Sequence, residues 1–589
     1  MSLVAELQRR RVFRALVGYG IAAFAVLQIV EPIMHGLHWP ETVLSYTVVA
    51  LAVGFPIVVS LAWIFDVNAG RIERTSPAAP AMRLRGARLA FLLVGIGILA
   101  AAPGTIWYFV VRGHSKPATE TAASTATTVP AAPSIAVLAF ADMSPGKDQE
   151  YFSDGIAEEI LNALGQVEGL RVIGRTSSFS FKGKSADLRT IGQELNVGTV
   201  LEGSVRKAGD KVRITTQLIS SADGTHLWSE TYDRNLTEVF AVQDEIARAV
   251  VAALKLKLLP ARAESPTANP EAHNQFLLGL HFFQQGSSDG NARALEALEK
   301  AVALDPGFAR GWAALSTVRR VNADQNWAQY PPERFFPAAL EAAEKAIALA
   351  PSEAMGWVAR AAFRTNWSKD WAAARSDLER ALALAPDNAD VLTSYGVLLS
   401  TLGQLPQAIA AVRKAAAVDP LRDRTWNQLA HYQLGTGEFD QAEANAARAV
   451  QLAPNSARSL RTLGFARLLQ HKLDGAWTAF DSEKDDGASG TLYRLMGAAL
   501  VEQDKGNKAE SQRLVDEIIR KPFAVSASYQ IAQVLAWQGQ ADRAFEWLER
   551  AYEQHDAGLN FLKYDPLLRN LRGDPRYTEL LKKMKLPLD

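Results

Sequence analysis

Any chemistry this chain performs has to come from few residues. Asp154, Glu158 and Glu159 form a carboxylate cluster within EYFSDGIAEEILNAL, and carboxylates are the residue type that general acid–base catalysis uses. The electrostatics of a helix start account for the same three residues without chemistry, with Asp154 expected as the N-cap and the two glutamates in the positive first turns. No base, nucleophile and orienting group stand together around them. The nine histidines are scattered; His35 and His38 stand three apart without a third ligand beside them, and His226 shares a strand face with Trp228 as a structural residue. With no cysteine in the chain, a thiol nucleophile, disulfides and cysteine-held zinc or iron–sulfur groups are excluded. The phosphate-binding loop, the paired-histidine metalloprotease pattern and the serine elbow are missing too. The reading is of no catalytic residue, no metal site and no cofactor.

The elements that would position such residues fall into several units, since 589 residues exceed what one core of about 100–200 residues accounts for. From 134 to 259 a small α/β domain is expected. SIAVLAFADM reads as a strand, YFSDGIAEEILNALGQ as a helix, RVIGRTSSFSF as a second strand and DLRTIGQELN as a second helix. TVLEGSVRKA, KVRITTQLIS and THLWSETYD then read as three strands with turns at Gly209-Asp210 and Asp223-Gly224, before the long helix EVFAVQDEIARAVVAALKLKL. This order predicts a mixed sheet covered by helices. Arg206, Lys207, Lys211 and Arg213 cluster at the first hairpin, as a solvated turn or as a surface for an acidic partner.

After a short linker at 260–269, the chain to 589 turns to alanine and leucine with a recurring ending. AVALDP, AIALAP, ALALAP, AAAVDP and AVQLAP place prolines at 306, 351, 386, 420 and 454, a spacing that settles at 34–35 after one longer interval holding NADQNWAQYPPERFFP. Small residues recur in first helices, as in Leu278-Gly279, Tyr395-Gly396 and Leu463-Gly464, and Ala408, Ala442 and Ala476 recur in second ones. That period and ending are similar to the tetratricopeptide repeat, which implies stacked helix pairs in an all-α superhelix with an inward groove. The segment YDPLLRNLRGDPRYTELLKKM resembles a terminal cap. Aligned on the small residue, His273, Phe276, Thr393, Asn427, His431, Arg458 and Arg461 are expected to face the groove and to meet protein or peptide partners. Their spacing does not reproduce the carboxylate clamp of chaperone-binding repeats.

Three uncharged apolar runs lie in the first 112 residues, each near or above the roughly 20 residues that span a bilayer as a helix. They predict transmembrane helices at about 13–35, 43–65 and 89–111 and the lipid bilayer as a partner. Arg9, Arg10, Arg11 and Arg14 precede the first run, and Arg71, Arg74, Arg83, Arg85 and Arg88 lie between the second and third. Basic loops stay inside, so the amino terminus is expected in the cytoplasm and residues after about 112 in the periplasm of an inner-membrane protein. Glu31 is expected to reach water at a span end. Residues 113–133, rich in Ala, Thr, Ser and Pro, read as a flexible tether. With 63 basic residues against 63 acidic ones and the basic excess near the runs, nucleic acid is not expected as a partner.

SIAVLAF, EYFSDGIAEEILNAL, RVIGRTSSFSFKGK, IGQELNVGTVLEGSVRKAGDKVRITTQLI and HLWSETYDR together resemble the TolB amino-terminal-like domain, also described as FlgO-like. The resemblance implies a bacterial membrane protein in which this domain accompanies tetratricopeptide repeats. The expected fold class is therefore multidomain: three transmembrane helices, a small mixed-sheet α/β domain and an all-α repeat superhelix. The expected function is that of a non-enzymatic scaffold for protein partners in envelope assembly or signalling. The alternative is a sensory or regulatory protein of the cyclase- or transcription-regulator-associated group without an effector domain of its own.

Overall fold

The computed structural model describes residues 133–589 apart from 185, 255, 257–266, 268, 326–328, 483–486 and 589, together with Tyr19, Val26, Leu51 and the strands β1 (Phe65–Asn68) and β2 (Arg71–Arg74). β1 and β2 pair antiparallel, with Phe65 opposite Arg74 and Asn68 opposite Arg71. They belong to a unit of residues 1–129, and residues 130–589 form a second compact unit.

The three-span anchor is corrected. No helix among the described residues is long and apolar enough to cross a membrane, and Phe65, the last residue of the second expected span, begins a β-hairpin. Apolar composition alone does not fix helical backbone of bilayer length. The remainder of the three runs, with Glu31, His35, His38 and the tether, lies outside the described residues. The multi-pass inner-membrane placement, the cytoplasmic amino terminus, the periplasmic assignment and the bilayer as partner all rested on those spans and fall with them.

In the second unit the sheet is built from β3 (Ser134–Val137), β4 (Ala141–Asp142), β5 (Arg171–Val172), β6 (Thr199–Ala208), β7 (Lys211–Ser220) and β8 (His226–Asn235). The order is β5-β3-β6-β7-β8, with β4 also on β6. β3 runs parallel to β5 and β6, and β6-β7-β8 is an antiparallel meander. Gly209, at φ +60°, lets the β6–β7 turn close in two residues. Alternation divides the core: Ile135 and Val137 face the helices α1 (Glu150–Leu164) and α4 (Val239–Ala253), while Ala136 faces α3 (Leu188–Leu195). RVIGRTSSFSF departs from expectation. Only Arg171–Val172 is strand, and Arg175–Phe179 is a short helix, α2.

From Pro270 the chain forms helix pairs: α5 (Pro270–Gln284) with α6 (Ser288–Leu304), α7 (Ala309–Gln325) with α8 (Pro332–Leu349), α9 (Ala354–Phe363) with α10 (Trp371–Leu384), and α11 (Ala389–Thr401) with α12 (Leu405–Val418). Four more follow: α13 (Asp423–Thr436) with α14 (Phe439–Leu452), α15 (Ala457–Leu468) with α16 (Leu473–Asp481), α17 (Ala488–Asp504) with α18 (Lys508–Arg520), and α19 (Ser528–Trp537) with α20 (Ala541–Glu553). Two 3-10 turns, Ala557–Phe561 and Pro566–Leu571, and a last helix α21 (Pro575–Lys583) end the chain. The recurring proline stops each second helix because the residue before it is pushed out of helical backbone. Its carbonyl then finds a use: Trp312, Trp357 and Trp426 each donate their indole N–H to the proline carbonyl six residues back, at 3.0, 3.0 and 2.7 Å.

Small residues let the pairs close. A Cβ on Gly279 would come within 2.7 Å of Leu298, and one on Gly396 within 2.7 Å of Val412. Phe480 on α16 lies between two glycines, Gly464 of α15 and Gly497 of α17, where added Cβ atoms would approach its ring to 2.5 and 2.4 Å. Replacing this buried ring by alanine should lower stability by about 3–5 kcal/mol through lost burial and a residual cavity. Chemical denaturation followed by circular dichroism reads the change, and a midpoint unmoved from wild type would contradict this packing.

Candidate functional site

The first helices of neighbouring pairs pack side by side into one wall. The seven residues expected to line a groove sit on that wall, but the chain itself covers much of it. His273 and Phe276 on α5 are buried against the α/β domain. Tyr151 of α1 donates to Asn274 at 2.8 Å, Gly155 of α1 lies flush on Leu277, where a Cβ would collide at 2.5 Å, and Arg310 of α7 pairs with the buried Glu159 of α1. The Arg310 guanidinium also lies 5.5 Å over the Phe276 ring. Burial pushes His273 down to about 4, with Glu159 opposing and Arg310 assisting.

The carboxylates singled out in the sequence are part of this joint. Both oxygens of Asp154 accept from Lys182 at 2.7 Å, and Glu158 accepts from Arg175 at 2.8 Å. Burial raises the Glu158 carboxyl against the pull of Arg175. Asp154 is not the N-cap: α1 begins at Glu150, so Asp154 lies in the second turn. Each acid has a cation, as buried carboxylates require.

A second anchor holds the α/β domain to the loop between α12 and α13. The buried Asp419 carboxylate accepts from the Ser177 amide at 2.7 Å and from the Ser177 hydroxyl. That hydroxyl accepts from the Leu421 amide at 2.7 Å, and the Gly174 amide donates to the Val418 carbonyl at 2.8 Å. A helix start left uncapped by its own residues is thus capped from 242 residues away.

Further along the wall, Thr393 turns its hydroxyl back onto the Ala389 carbonyl at 2.6 Å and offers little to a partner. Asn427 is buried, and its Oδ1 has no hydrogen-bond partner. One turn on, half-buried His431 meets Phe561 at 4.8 Å and Tyr564 at 5.7 Å between ring centres, and burial lowers its pKa against the nearby Asp565. Arg458 is exposed. Local desolvation at its inner end lowers its pKa, followed by the positive charges of Arg424 and Arg461, with Asp423 opposing. The Arg461 guanidinium lies 3.6 Å over the Tyr493 ring, whose hydroxyl accepts from Gln530 at 3.2 Å.

The structure places Arg458 within electrostatic reach of Arg424 and Arg461, and diverts His273, Phe276 and His431 to internal contacts. Reasoning from sequence passed over Arg424, although it stands one 34-residue period before Arg458. Tyr493 and Gln530 lie in the less regular repeats and carried no such signal. The basic hairpin is not a free patch: Arg213 pairs with Asp233 at 2.7 Å and Arg206 donates to the Met143 carbonyl at 3.2 Å. His226 is exposed on the edge strand β8.

With this geometry in place, residues 368–431 and 423–456 match two family models, each described as tetratricopeptide repeat. The chain therefore carries tetratricopeptide repeats. It is 39% identical over 235 residues to a protein of Rhizobium meliloti (strain 1021) named putative adenylate cyclase 3, a match covering 39% of this chain and 40% of that one. The chain thus spans about two fifths of the length of that relative. Among solved structures, a thermophilic repeat protein of Thermus thermophilus is 21% identical, covering 33% of this chain and 99% of that one with a TM-score of 0.29. The type IV pilus biogenesis factor PilW is 20% identical, covering 38% and 98% with a TM-score of 0.31.

Two outcomes follow from the joint. Asp419→Ala strips the cap from α2 and should cost about 1–3 kcal/mol, seen as faster amide exchange over residues 171–182; unchanged exchange there would refute the anchor. His273 is held neutral when folded, its pKa depressed from 6.5 to about 4. Its contribution is complete above pH 6.5 and is lost as pH falls towards 4, on the order of 3 kcal/mol. Denaturation midpoints across that range should fall more steeply for wild type than for His273→Gln; parallel profiles would exclude His273 as the cause.

Proposed function

We propose that this protein is a non-enzymatic scaffold for protein partners, and that its open binding surface is the wall around Arg424, Arg458 and Arg461. The observation carrying this reading is two like charges in successive repeats with no ion pair, Asp423 acting on Arg458 only at a distance. Arg424 and Arg458 occupy equivalent places in successive repeats, and neither is within ion-pair distance of a carboxylate among the described residues. Beside them the buried Oδ1 of Asn427 accepts no hydrogen bond. An acidic protein segment supplies what both lack: carboxylates for the guanidiniums and a backbone N–H for Asn427. The α/β domain of residues 134–259, read as TolB amino-terminal-like, serves as the body that holds repeats 270–589 in place through Asp419 and Glu159.

A second reading is favoured by the relative named putative adenylate cyclase: the scaffold works in a cyclase-associated regulatory assembly, where the acidic segment belongs to an effector. Purified full-length chain should turn over no ATP under either reading, and turnover would replace both with an enzyme.

The test uses a fluorescein-labelled peptide of ten alternating Glu and Gly residues and the full chain. Anisotropy should report binding that weakens as salt is raised, and Arg424→Glu with Arg458→Glu should reduce affinity at least about tenfold, or 1.4 kcal/mol. Equal binding by wild type and the double variant, or none by wild type, would remove the assignment.

A further inference from the structure

The sheet of the α/β domain ends in two unlike edges. On one side stands β5, two residues long, and on the other β8, ten residues without a proline or a lysine. A short edge is protected by its length, whereas a long one presents a row of amides and carbonyls to any strand that fits it. Which backbone groups of β8 face outwards follows from its pairing. The Leu236 amide donates to the Asp210 carbonyl at 2.7 Å, and in step with it Arg234 stands opposite Val212 and Tyr232 opposite Ile214. The even-numbered residues of β8 therefore turn their backbone groups to β7, and Ser229, Thr231 and Asp233 turn theirs away. Among the described residues no group accepts from the amides of these three, and the Asp233 carbonyl accepts from the neighbouring Arg234 guanidinium at 3.0 Å.

The side chains of β8 carry an order of charge. Glu230, Tyr232 and Arg234 share the face under α4, where Tyr232 is buried with Val242 and Ile246 and Arg234 pairs with Glu245 at 3.0 Å. Glu230 is exposed. Its carboxylate accepts from the Tyr232 hydroxyl at 2.9 Å and has no cation within ion-pair distance among the described residues. On the opposite face Thr231 shares a hydrogen bond with Thr215 at 3.2 Å, beside Asp233 on Arg213.

We propose that β8 pairs antiparallel with β8 of a second copy of this chain, about a two-fold axis at Tyr232. In that register Arg234 of each copy stands opposite Glu230 of the other, and Asp233 opposite Thr231. The arginine bridges its own Glu245 and the second copy's Glu230, and the Thr231 hydroxyl meets a carboxylate already held by Arg213. Glu230, Tyr232 and Arg234 in this order are their own complement when the strand is reversed, which selects a second copy over an unrelated strand. Neighbouring registers are worse. An axis at Glu230, Asp233 or Arg234 sets like charges opposite each other, and one at Thr231 puts Arg234 opposite Trp228 and leaves Glu230 without a cation. This surface lies on the α/β domain and does not draw on the arginine wall.

Because the chain has no cysteine, single thiols can be placed in the full-length protein. Glu230→Cys and Arg234→Cys are made separately, mixed and oxidised with copper phenanthroline, and the crosslinked dimer is read on non-reducing gels. Opposed residues of an antiparallel pair have Cα atoms about 4.5–5.5 Å apart, within reach of a disulfide. In the mixed dimer the two cysteines face each other at one end, while Arg234 of one copy and Glu230 of the other still pair at the other end. In a dimer of either variant alone the cysteines stand four strand positions apart, about 13 Å or more. The mixture should therefore yield at least about tenfold more disulfide-linked dimer than either variant alone. No dimer from the mixture, or as much from either variant alone, overturns the proposal. If Arg234→Cys does not fold without its pairing to Glu245, the exposed Ser229→Cys and Asn235→Cys, opposed in the same register, replace the two variants and must give the same result.

Discussion

The rest of the fold depends on the grip of the α/β domain on two distant points of the repeat array. One point is the buried pair of Glu159 with Arg310, and the other is Asp419 at the start of α2. Neither group can be left alone in the interior. A buried carboxylate without a partner costs several kcal/mol, whereas its pairing contributes modest net stability, so the grip acts mainly as a constraint on geometry. It fixes where α5 and the α12–α13 loop stand relative to one sheet. The apolar core runs through the same joint without a break, from Ile135 and Leu201 in the sheet to Phe276, Leu298 and Phe308 in the first repeats.

That constraint decides which part of the wall stays uncovered. A free helical array exposes the inward residues of every first helix. Here α1 seals the stretch at His273 and Phe276, and the carboxyl-terminal turns rest on the stretch at His431. The arginines at 424, 458 and 461 lie beyond both covers. The stacking that permits this arrangement is built on residues with little or no side chain, such as Ala408, Ala442, Ala446 and Ala476, all fully buried. Alanine gives close approach with almost no loss of rotamer freedom, and the larger residues, such as Phe480, are then accommodated by glycines on both sides.

Local signals were legible and distant ones were not. TVLEGSVRKA and KVRITTQLIS became β6 and β7 with the expected ends, because alternation and the Gly209 turn act within a few residues. The 34-residue period located the helix pairs for the same reason. RTSSF was misread as strand because its helix is capped by Asp419, a residue that nothing near Ser177 announces. The first 112 residues were read from hydropathy alone, which measures transfer into an apolar medium and leaves backbone conformation open. The groove residues show the limit most directly. Repeat alignment placed His273 and His431 on the first helices α5 and α13, but what covers them comes from α1 and from the 555–564 segment, and sequence spacing carries no information about either contact.

The leftover polar atoms are a cost that the wall carries in this arrangement. An acceptor left unpaired in the interior costs about 1–3 kcal/mol, and Asn427, His431, Gln530 and Asn560 each have such an atom. Apolar groups of similar size at these places would remove that cost, and alanine and leucine abound in the neighbouring helices. The repulsion between Arg424 and Arg458, only partly offset by Asp423, acts in the same direction, since like charges on adjacent repeats oppose folding. On the scaffold reading, a segment bringing carboxylates to the arginines and a donor to Asn427 would relieve the costs at those residues, whereas His431 and Asn560 lie under the carboxyl-terminal turns. Apolar substitution would relieve only the first cost, while acidic substitution would satisfy the arginines and close the surface to an outside acid. If the arginine surface is the binding site, as proposed, an acidic peptide would relieve the repulsion between Arg424 and Arg458, which neither a hydrocarbon surface nor a cation would do.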